Sequence, residues 1–365
     1  MNPGPPAPQA SVIIRTRLRA PTTRLLYSRN INAEQTAGCM RMFYNLFRLK
    51  LREAMPVNLR KIRAYIRLLR FDSWQVWLFN FLLGCILFEL PQISRFIIVL
   101  VSFSLATSAI FILNQYIDRE NDRANNLKKD LPIASGEVSP RTGLVLFFAF
   151  TSVSLTSAFL TDLSIFLLLL ALMLLGIGYS TPPFYFKSRP GLDVIVCGIG
   201  AGILPFFIGV QTAPLLTLEF EFPWIVRRYQ DALFTALPIF LVQCTGQIYQ
   251  VVGDYEADSM AKISTFAVKY GKKTALRFAA ILLLITVSLP IVYELLNLSL
   301  TPFLGWYMIA FVCLVPCLLY FMKRAQDASE TSFKRLREIS RRAGAVILLI
   351  LILYVLIVRL TLNGT

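Results

Sequence analysis

The chain is 365 residues long, 56% hydrophobic and 16% charged, with no histidine and a formal net charge of +16. Soluble domains are about half apolar with about a quarter of their residues charged, so a water-soluble globule is excluded; the missing imidazoles also remove the commonest general base and any histidine-held metal. On a soluble protein the positive charge would suggest nucleic acid, but here the basic residues fall between apolar blocks. Membrane topology accounts for them, and no nucleic-acid partner is expected.

Residues 1 to 55 are Pro-rich and then Arg-rich, with Glu34 and Glu53 as their acids. There is no apolar core of a secretory signal. The stretch reads as an organelle transit segment, as a basic cytoplasmic tail, or as a region upstream of a true start at Met40, Met42 or Met55. Residues 1–58 are taken as a basic arm, expected to be disordered, and 59–362 as one domain. Leu59 to Leu69 carries Arg60, Lys61, Arg63 and Arg67, with Arg70 following, and reads as a basic amphipathic helix on the inner membrane surface.

Nine apolar runs follow, at 73–90, 93–113, 141–160, 163–179, 192–212, 232–252, 274–296, 302–322 and 343–362. Each is close to the roughly 20 residues that span a bilayer. They are continuous rather than alternating, so they predict helices and not a barrel. The fold class is therefore an all-α membrane protein with nine transmembrane helices. With the N-terminus on the cytoplasmic side, all but four of the 37 Lys and Arg residues fall inside, the four being Arg95, Arg227, Arg228 and Arg359. The longest outer connection, 213–231, carries Glu219, Glu221, Trp224 and Tyr229 and is expected to lie as an interfacial cap. The six cysteines form no CxxC pair and read as packing residues.

The second run leads directly into Asn114-Gln115-Tyr116-Ile117-Asp118-Arg119-Glu120-Asn121-Asp122-Arg123. Asn114, Asp118 and Asp122 are four apart and share a helical face. The sixth run ends in Asp254-Tyr255-Glu256-Ala257-Asp258, with Asp254 and Asp258 spaced alike. Topology puts both motifs on the cytoplasmic side. Charged groups at the mouth of a membrane helix mark a functional site by default. Converging carboxylates need positive charge between them, and Mg2+, held by carboxylates together with substrate phosphates, is the natural candidate. Salt bridges to Arg119, Arg123 and Lys262 are the structural alternative. A third stretch, Tyr179-Ser180-Thr181-Pro182-Pro183-Phe184-Tyr185-Phe186-Lys187-Ser188-Arg189-Pro190-Gly191-Leu192-Asp193, is an inner loop stiffened by three prolines. It presents Lys187 and Arg189 with Tyr179 and Ser180, and positive charge there suits a leaving diphosphate.

Together these stretches resemble the UbiA-type intramembrane prenyltransferases. The matching features are the Asn114, Asp118, Asp122 run, Leu131-Pro132-Ile133-Ala134-Ser135-Gly136, the Tyr179 to Lys187 loop, and Asp254 and Asp258 followed by Ser264-Thr265 and Tyr270-Gly271. The resemblance covers residues 60 to 362. It implies a nine-helix bundle around a central cavity that opens to lipid. It also implies an isoprenyl diphosphate donor, Mg2+ and a lipophilic acceptor. Carried over by position, Asn114, Asp118, Asp122, Asp254 and Asp258 are metal and diphosphate ligands, with the four aspartates as the catalytic set. Arg119, Arg123, Lys187 and Arg70 add positive charge at the diphosphate, and Tyr179 and Ser180 line the substrate site. Two positions depart from the pattern. Gln115 stands where many members carry Asp, and Lys262 stands where the second motif often continues to an acid, so Lys262 is a further diphosphate contact. The acceptor classes the resemblance offers are quinone or other aromatic precursors, carotenoids and lipids. A polytopic transporter using intramembrane acids is the rival reading, disfavoured because both motifs sit at one membrane face rather than at the midplane.

Overall fold

A computed structural model of the chain describes residues 57–87, 91–125, 128–213 and 222–296, with the single positions 349, 353 and 357. The arm at 1–56 and the apolar runs at 302–322 and 343–362 lie outside the described residues, those three positions excepted. The chain divides into two compact units, Met1–Lys61 and Ile62–Thr365. Of the first, residues 57–61 are described, and they open helix α1, Val57–Leu68.

Among the described residues the chain is helical, with no strand. After α1 come α2 (Phe71–Leu87), α3 (Ile93–Ala124), α4 (Pro140–Thr161) and α5 (Leu163–Ser180). The fifth apolar run is broken: α6 (Leu192–Gly198) passes through a π turn, Ile199–Ile203, into α7 (Leu204–Thr212). Then follow α8 (Phe222–Gly253), the short α9 (Tyr255–Met260) and α10 (Phe266–Tyr270), and α11 (Lys272–Leu295). Among the described residues six stretches are long and apolar enough to cross a membrane: Ile93–Ala124, Pro140–Thr161, Leu163–Ser180, Leu192–Thr212, Tyr229–Gly253 and Lys272–Tyr293. They correspond to the second through seventh predicted runs. Their number and apolarity make this a multi-pass membrane protein.

Helix ends follow the local sequence. Ser139 caps α4, its Oγ accepting from the Thr142 N–H at 3.1 Å, and Pro140 takes the first helical position. Asp162 ends α4 and caps α5, accepting from the Ser164 N–H at 2.7 Å, while Arg95 donates to its other oxygen at 3.1 Å. The α3 helix does not stop with its apolar residues. It continues through the acidic stretch to Ala124, which is what carries Asn114, Asp118 and Asp122 on one face. By contrast α8 stops at Gly253, and Asp254 forms a turn before α9. In the predicted interfacial cap, 213–231, residues 222–230 are the first turns of α8, and 214–221 lie outside the described residues.

Packing brings the ends of these helices together. α2 and α7 approach until backbone meets backbone: a Cβ on Gly84 would stand 2.1 Å from the Phe206 carbonyl oxygen, and one on Gly209 would stand 2.0 Å from that of Phe81. One apolar core runs through α2, α3, α5 and α7 around Phe81, Phe103, Ile112, Leu169, Met173 and Phe206. A second joins α6, α8 and α11 around Val194, Ile248, Val252, Ala275 and Leu276. It fixes the end of α8 from which Asp254 projects. In the π turn the Ala201 carbonyl accepts from Asn80 Nδ2 of α2 at 2.9 Å, so a carbonyl loosened from the helix ladder is satisfied away from water.

Candidate active site

The first acid cluster is built on α3. Asn114 Nδ2 donates to Asp118 Oδ2 at 2.9 Å and to Ser180 Oγ, at the end of α5, at 3.2 Å. Lys187 reaches in from the loop after α5 and forms an ion pair with the other Asp118 oxygen. That lysine is only 7% exposed. Its Nζ lies 4.9 Å from the Tyr185 ring. A short 3-10 turn, Phe186–Ser188, presents it, entered through Tyr185 at φ +42°. Asp122, one helical turn beyond Asp118, is 6% exposed.

The second cluster closes on the first. The Asp258 N–H donates to the Asp254 carbonyl at 2.9 Å, so the two acids keep their helical spacing across the turn. Lys128, from the loop after α3, places Nζ 3.4 Å from Asp254 Oδ2. Burial works against its positive charge, but Asp254, Asp122 and Asp258 outweigh burial and hold its pKa above the ordinary lysine value. Asp258 is pushed up to about 7, first by burial and then by the charge of Asp254, with Lys128 and Lys187 pulling the other way and Asp118 adding to the rise. Acids and lysines from α3, the loops after α3 and α5, the turn after α8, and α9 therefore share one electrostatic site.

The remaining candidates divide. Arg70 sits at this site: its charge opposes that of Lys128, its Nε donates to Ser73 Oγ at 3.2 Å, and its guanidinium stands 5.5 Å from the Phe111 ring. Arg70, Tyr185 and Lys262 are the non-glycine residues with positive φ among the described residues, backbone strain of the kind that active sites often show. Arg119 and Arg123 turn elsewhere. Arg119 donates to the Tyr116 carbonyl and faces Glu120, while Arg123 bonds the Ala134 carbonyl at 3.1 Å and pairs with Glu120 at 2.9 Å. Lys262 is exposed in the turn after α9. Tyr179 lies beside Ser180, and its hydroxyl oxygen accepts from Gln247 Nε2 at 3.0 Å. Gln115, one residue around the helix from Asn114, faces away from the acids: 1% exposed, it donates to the Leu68 carbonyl at 2.9 Å and ties down the end of α1.

Two residues at the site, Lys128 and Gln247, went unnoticed in the sequence, and Asp193 reads there only as the last residue of the proline-stiffened stretch. Lys128 carried no signal beyond membership of a basic loop. Gln247 did carry one, since it stands seven residues before Asp254 and so on the same helical face. Asp193, fully buried, accepts from the Gly191 N–H and from the Phe266 N–H, both at 2.7 Å. It thereby ties the lysine-bearing loop to the segment that follows the second acid pair. Asp193→Ala leaves two N–H groups without their acceptor, at about 1–3 kcal/mol each. A fall in the thermal unfolding temperature of the purified protein is expected, and an unchanged temperature would rule out this anchoring role.

Among the described residues no three His, Cys, Asp or Glu side chains stand close enough to enclose a metal ion. The acids are paired, oxygen-only donors. That suits a hard cation which also takes ligands from a bound anion better than one held in a protein cage.

Residues 78–340 match the sequence profile of the UbiA prenyltransferase family. Among curated relatives, the chain is 32% identical over 157 residues to protoheme IX farnesyltransferase of Leptospira biflexa, covering 41% of this chain and 53% of the relative. It is 30% identical over 167 residues to the probable homogentisate phytyltransferase 1 of Oryza sativa, covering 44% and 39%. The chain thus spans about half the length, or less, of these curated relatives. Among solved structures, a UbiA homologue from Archaeoglobus fulgidus bound to DMAPP and Mg2+ superposes with a TM-score of 0.59 at 25% identity, covering 78% of this chain and 98% of the homologue.

Proposed function

The chain belongs to the UbiA prenyltransferase family, and we propose that it catalyses Mg2+-dependent transfer of a prenyl group from an isoprenyl diphosphate to a lipophilic acceptor within the membrane. The observation that carries this reading is the convergence of two acid pairs, Asp118 with Asp122 and Asp254 with Asp258, on one buried site with Lys128 and Lys187 between them. A transporter would place its ionisable groups near the midplane, whereas these stand at the end of α3 and just beyond α8. The homologue solved with DMAPP and Mg2+ has the same fold and supports the same ligand class.

In this reading the donor's diphosphate lies between the two acid pairs. Asp118, Asp122, Asp254, Asp258 and the Asn114 amide oxygen would hold Mg2+, which supplies Lewis-acid neutralisation of the charge gathering on the departing diphosphate. Lys187 and Lys128 have ammonium groups already inside the site and bind diphosphate oxygens directly, with Arg70 beside them. Arg119, Arg123 and Lys262 add positive potential at the rim. The C–O bond of the donor breaks and both electrons leave with the diphosphate. The allylic cation is then taken by the π electrons of the acceptor, which afterwards gives up a proton. The chain holds no imidazole, so that proton passes to an oxygen base. The apolar, Phe-rich helix surfaces around the site suit a prenyl tail and keep water from the cation. The basic segments around the acids support a site on the cytoplasmic face. Residues 59–362 form the catalytic domain and 1–58 a basic arm.

The test is mass spectrometry of membrane lipids from cells with the active protein and from cells carrying an Asp118→Ala copy. A compound heavier by a prenyl increment only with the active protein is expected. Identical lipid profiles would sink the assignment.

A further inference from the structure

We propose that Gln115 is a positioning residue for donor binding: through the Leu68 carbonyl it fixes the turn between α1 and α2, and so holds the Arg70 guanidinium at the acid clusters. The proposal rests on the prenyl-transfer reading above, in which Arg70 stands beside the donor's diphosphate. It adds a residue that acts on the donor without touching it.

Helix α1 ends at Leu68 and α2 begins at Phe71, so Leu69 and Arg70 make the whole turn between them. The last carbonyls of a helix have no partner within it. Here side chains from other helices take them. Gln115 Nε2, on α3, donates to the Leu68 carbonyl at 2.9 Å, and Trp74 Nε1, on α2, donates to the Leu69 carbonyl at 2.8 Å. The Arg70 carbonyl accepts from the Ser73 N–H at 2.8 Å. Three successive carbonyls are gripped, and Arg70 is held at φ +52°. A helix that ends in this left-handed conformation usually does so on glycine, which meets no steric penalty there. Glycine would enter this turn without strain but would bring no charge. The guanidinium is what the strained position supplies: its Nε donates to Ser73 Oγ at 3.2 Å, it stands 5.5 Å from the Phe111 ring, and its charge opposes that of Lys128. Gln115 Nε2 also meets the Phe111 carbonyl, at 3.4 Å. One turn of α3 thus holds the backbone of the α1–α2 turn and bounds the arginine side chain.

Gln115 itself carries a cost. Both partners of its amide are backbone carbonyls, so the nitrogen end faces the turn and the oxygen end faces away. That oxygen, Oε1, is buried, and no described residue donates to it. A buried acceptor without a donor is destabilising, whereas an apolar side chain of the same shape would leave nothing unpaired. Packing alone therefore does not call for an amide here. The Leu68 bond does, because an N–H donor is what the end of α1 lacks. Two unfavourable local features, the left-handed arginine and the unpaired amide oxygen, meet at one junction beside the acids. Such strain persists where the surrounding structure over-determines it, as at ligand clamps.

The experiment measures equilibrium binding of radiolabelled geranyl diphosphate, with Mg2+, to the full chain in lipid nanodiscs. Arg70→Ala should weaken binding about 10–100-fold, the effect of losing a hydrogen bond to a charged group. Near-isosteric Gln115→Met, which keeps the shape and removes the N–H, should weaken it about 3–10-fold. The decisive measurement is the double variant. If Gln115 acts through Arg70, Gln115→Met should weaken binding by less than about twofold once Arg70 is already alanine, since residues of one network are not additive. A merely structural role would lower affinity by the same factor in both backgrounds. Thermal unfolding verifies that each variant folds; if Gln115→Met does not, Gln115→Asn, which keeps the amide but is one methylene too short to reach Leu68, takes its place in the cycle. Wild-type affinity in the Gln115 variant, a loss that persists in full beside Arg70→Ala, or wild-type affinity in Arg70→Ala alone overturns the proposal while leaving prenyl transfer standing. No retention of geranyl diphosphate by the wild-type protein with Mg2+ overturns the prenyl-transfer reading, and this proposal with it.

Discussion

Replacement of Asp118 or of Asp254 by alanine is expected to lower prenyl transfer by at least about 10²–10³-fold, the range seen when one preorganised electrostatic group is removed from an active site. Asp118 is the most connected acid of the site, receiving Asn114 on one oxygen and Lys187 on the other. Its loss removes a ligand and also leaves the buried Lys187 ammonium without its partner. Asp254 does the same for Lys128 from the opposite side. The two positions lie on separate elements, so equal losses would show that both acid pairs act on one ligand. Asp118→Asn keeps the shape and a hydrogen-bonding oxygen while removing the charge, and it should be nearly as inactive. Release of diphosphate from geranyl diphosphate in the presence of acceptor is the readout, with thermal unfolding to verify that each variant folds. Turnover above a tenth of wild type in either alanine variant would remove that acid from the site.

Chelation is expected to have an effect as large. With EDTA, transfer should fall to background and geranyl diphosphate should no longer be retained; added Mg2+ should restore both. The charges explain why. Asp118, Asp122, Asp254 and Asp258 oppose the ammonium groups of Lys128 and Lys187, so the acids outnumber the site's lysines before an anionic diphosphate arrives. At an effective dielectric constant of about 20, each pair of like charges about 4 Å apart costs about 4 kcal/mol. The lysines and Arg70 cannot cancel both the acids and the diphosphate, so retention of the donor needs added positive charge. Equilibrium binding of labelled geranyl diphosphate with and without EDTA measures this. Tight binding in EDTA would mean that the basic residues suffice alone.

Much of the site was legible because its spacing is local. Four-residue intervals place Asn114, Asp118 and Asp122 on one face whatever surrounds them, provided the helix runs on past its apolar part, as α3 does to Ala124. The apolar runs from 93 to 296 were equally plain, since a bilayer demands about 20 consecutive apolar residues. The charge partners of the acids were harder to assign. Arg119 and Arg123 are adjacent to the acids in sequence, but one step along a helix turns a side chain about 100°, and both arginines meet Glu120 and backbone carbonyls. Gln115 is displaced in the same way. It holds the end of α1 and does not stand in for a missing acid of the cluster.

By itself the sequence determined that the chain is helical and membrane-spanning, that acids gather at the ends of two of its helices, and that hydrophobic length rather than alternation builds it. Those properties follow from period and length, which need no knowledge of distant neighbours. Tertiary structure decided which groups meet. Lys128 reaches Asp254 across 126 positions, Asp193 ties Gly191 to Phe266, and Gln247 finds Tyr179 across 68. None of these contacts has a local pattern. Each depends on how the second apolar core seats α8 against α6 and α11, and on how the loops after α3 and α5 fold back over the helix ends.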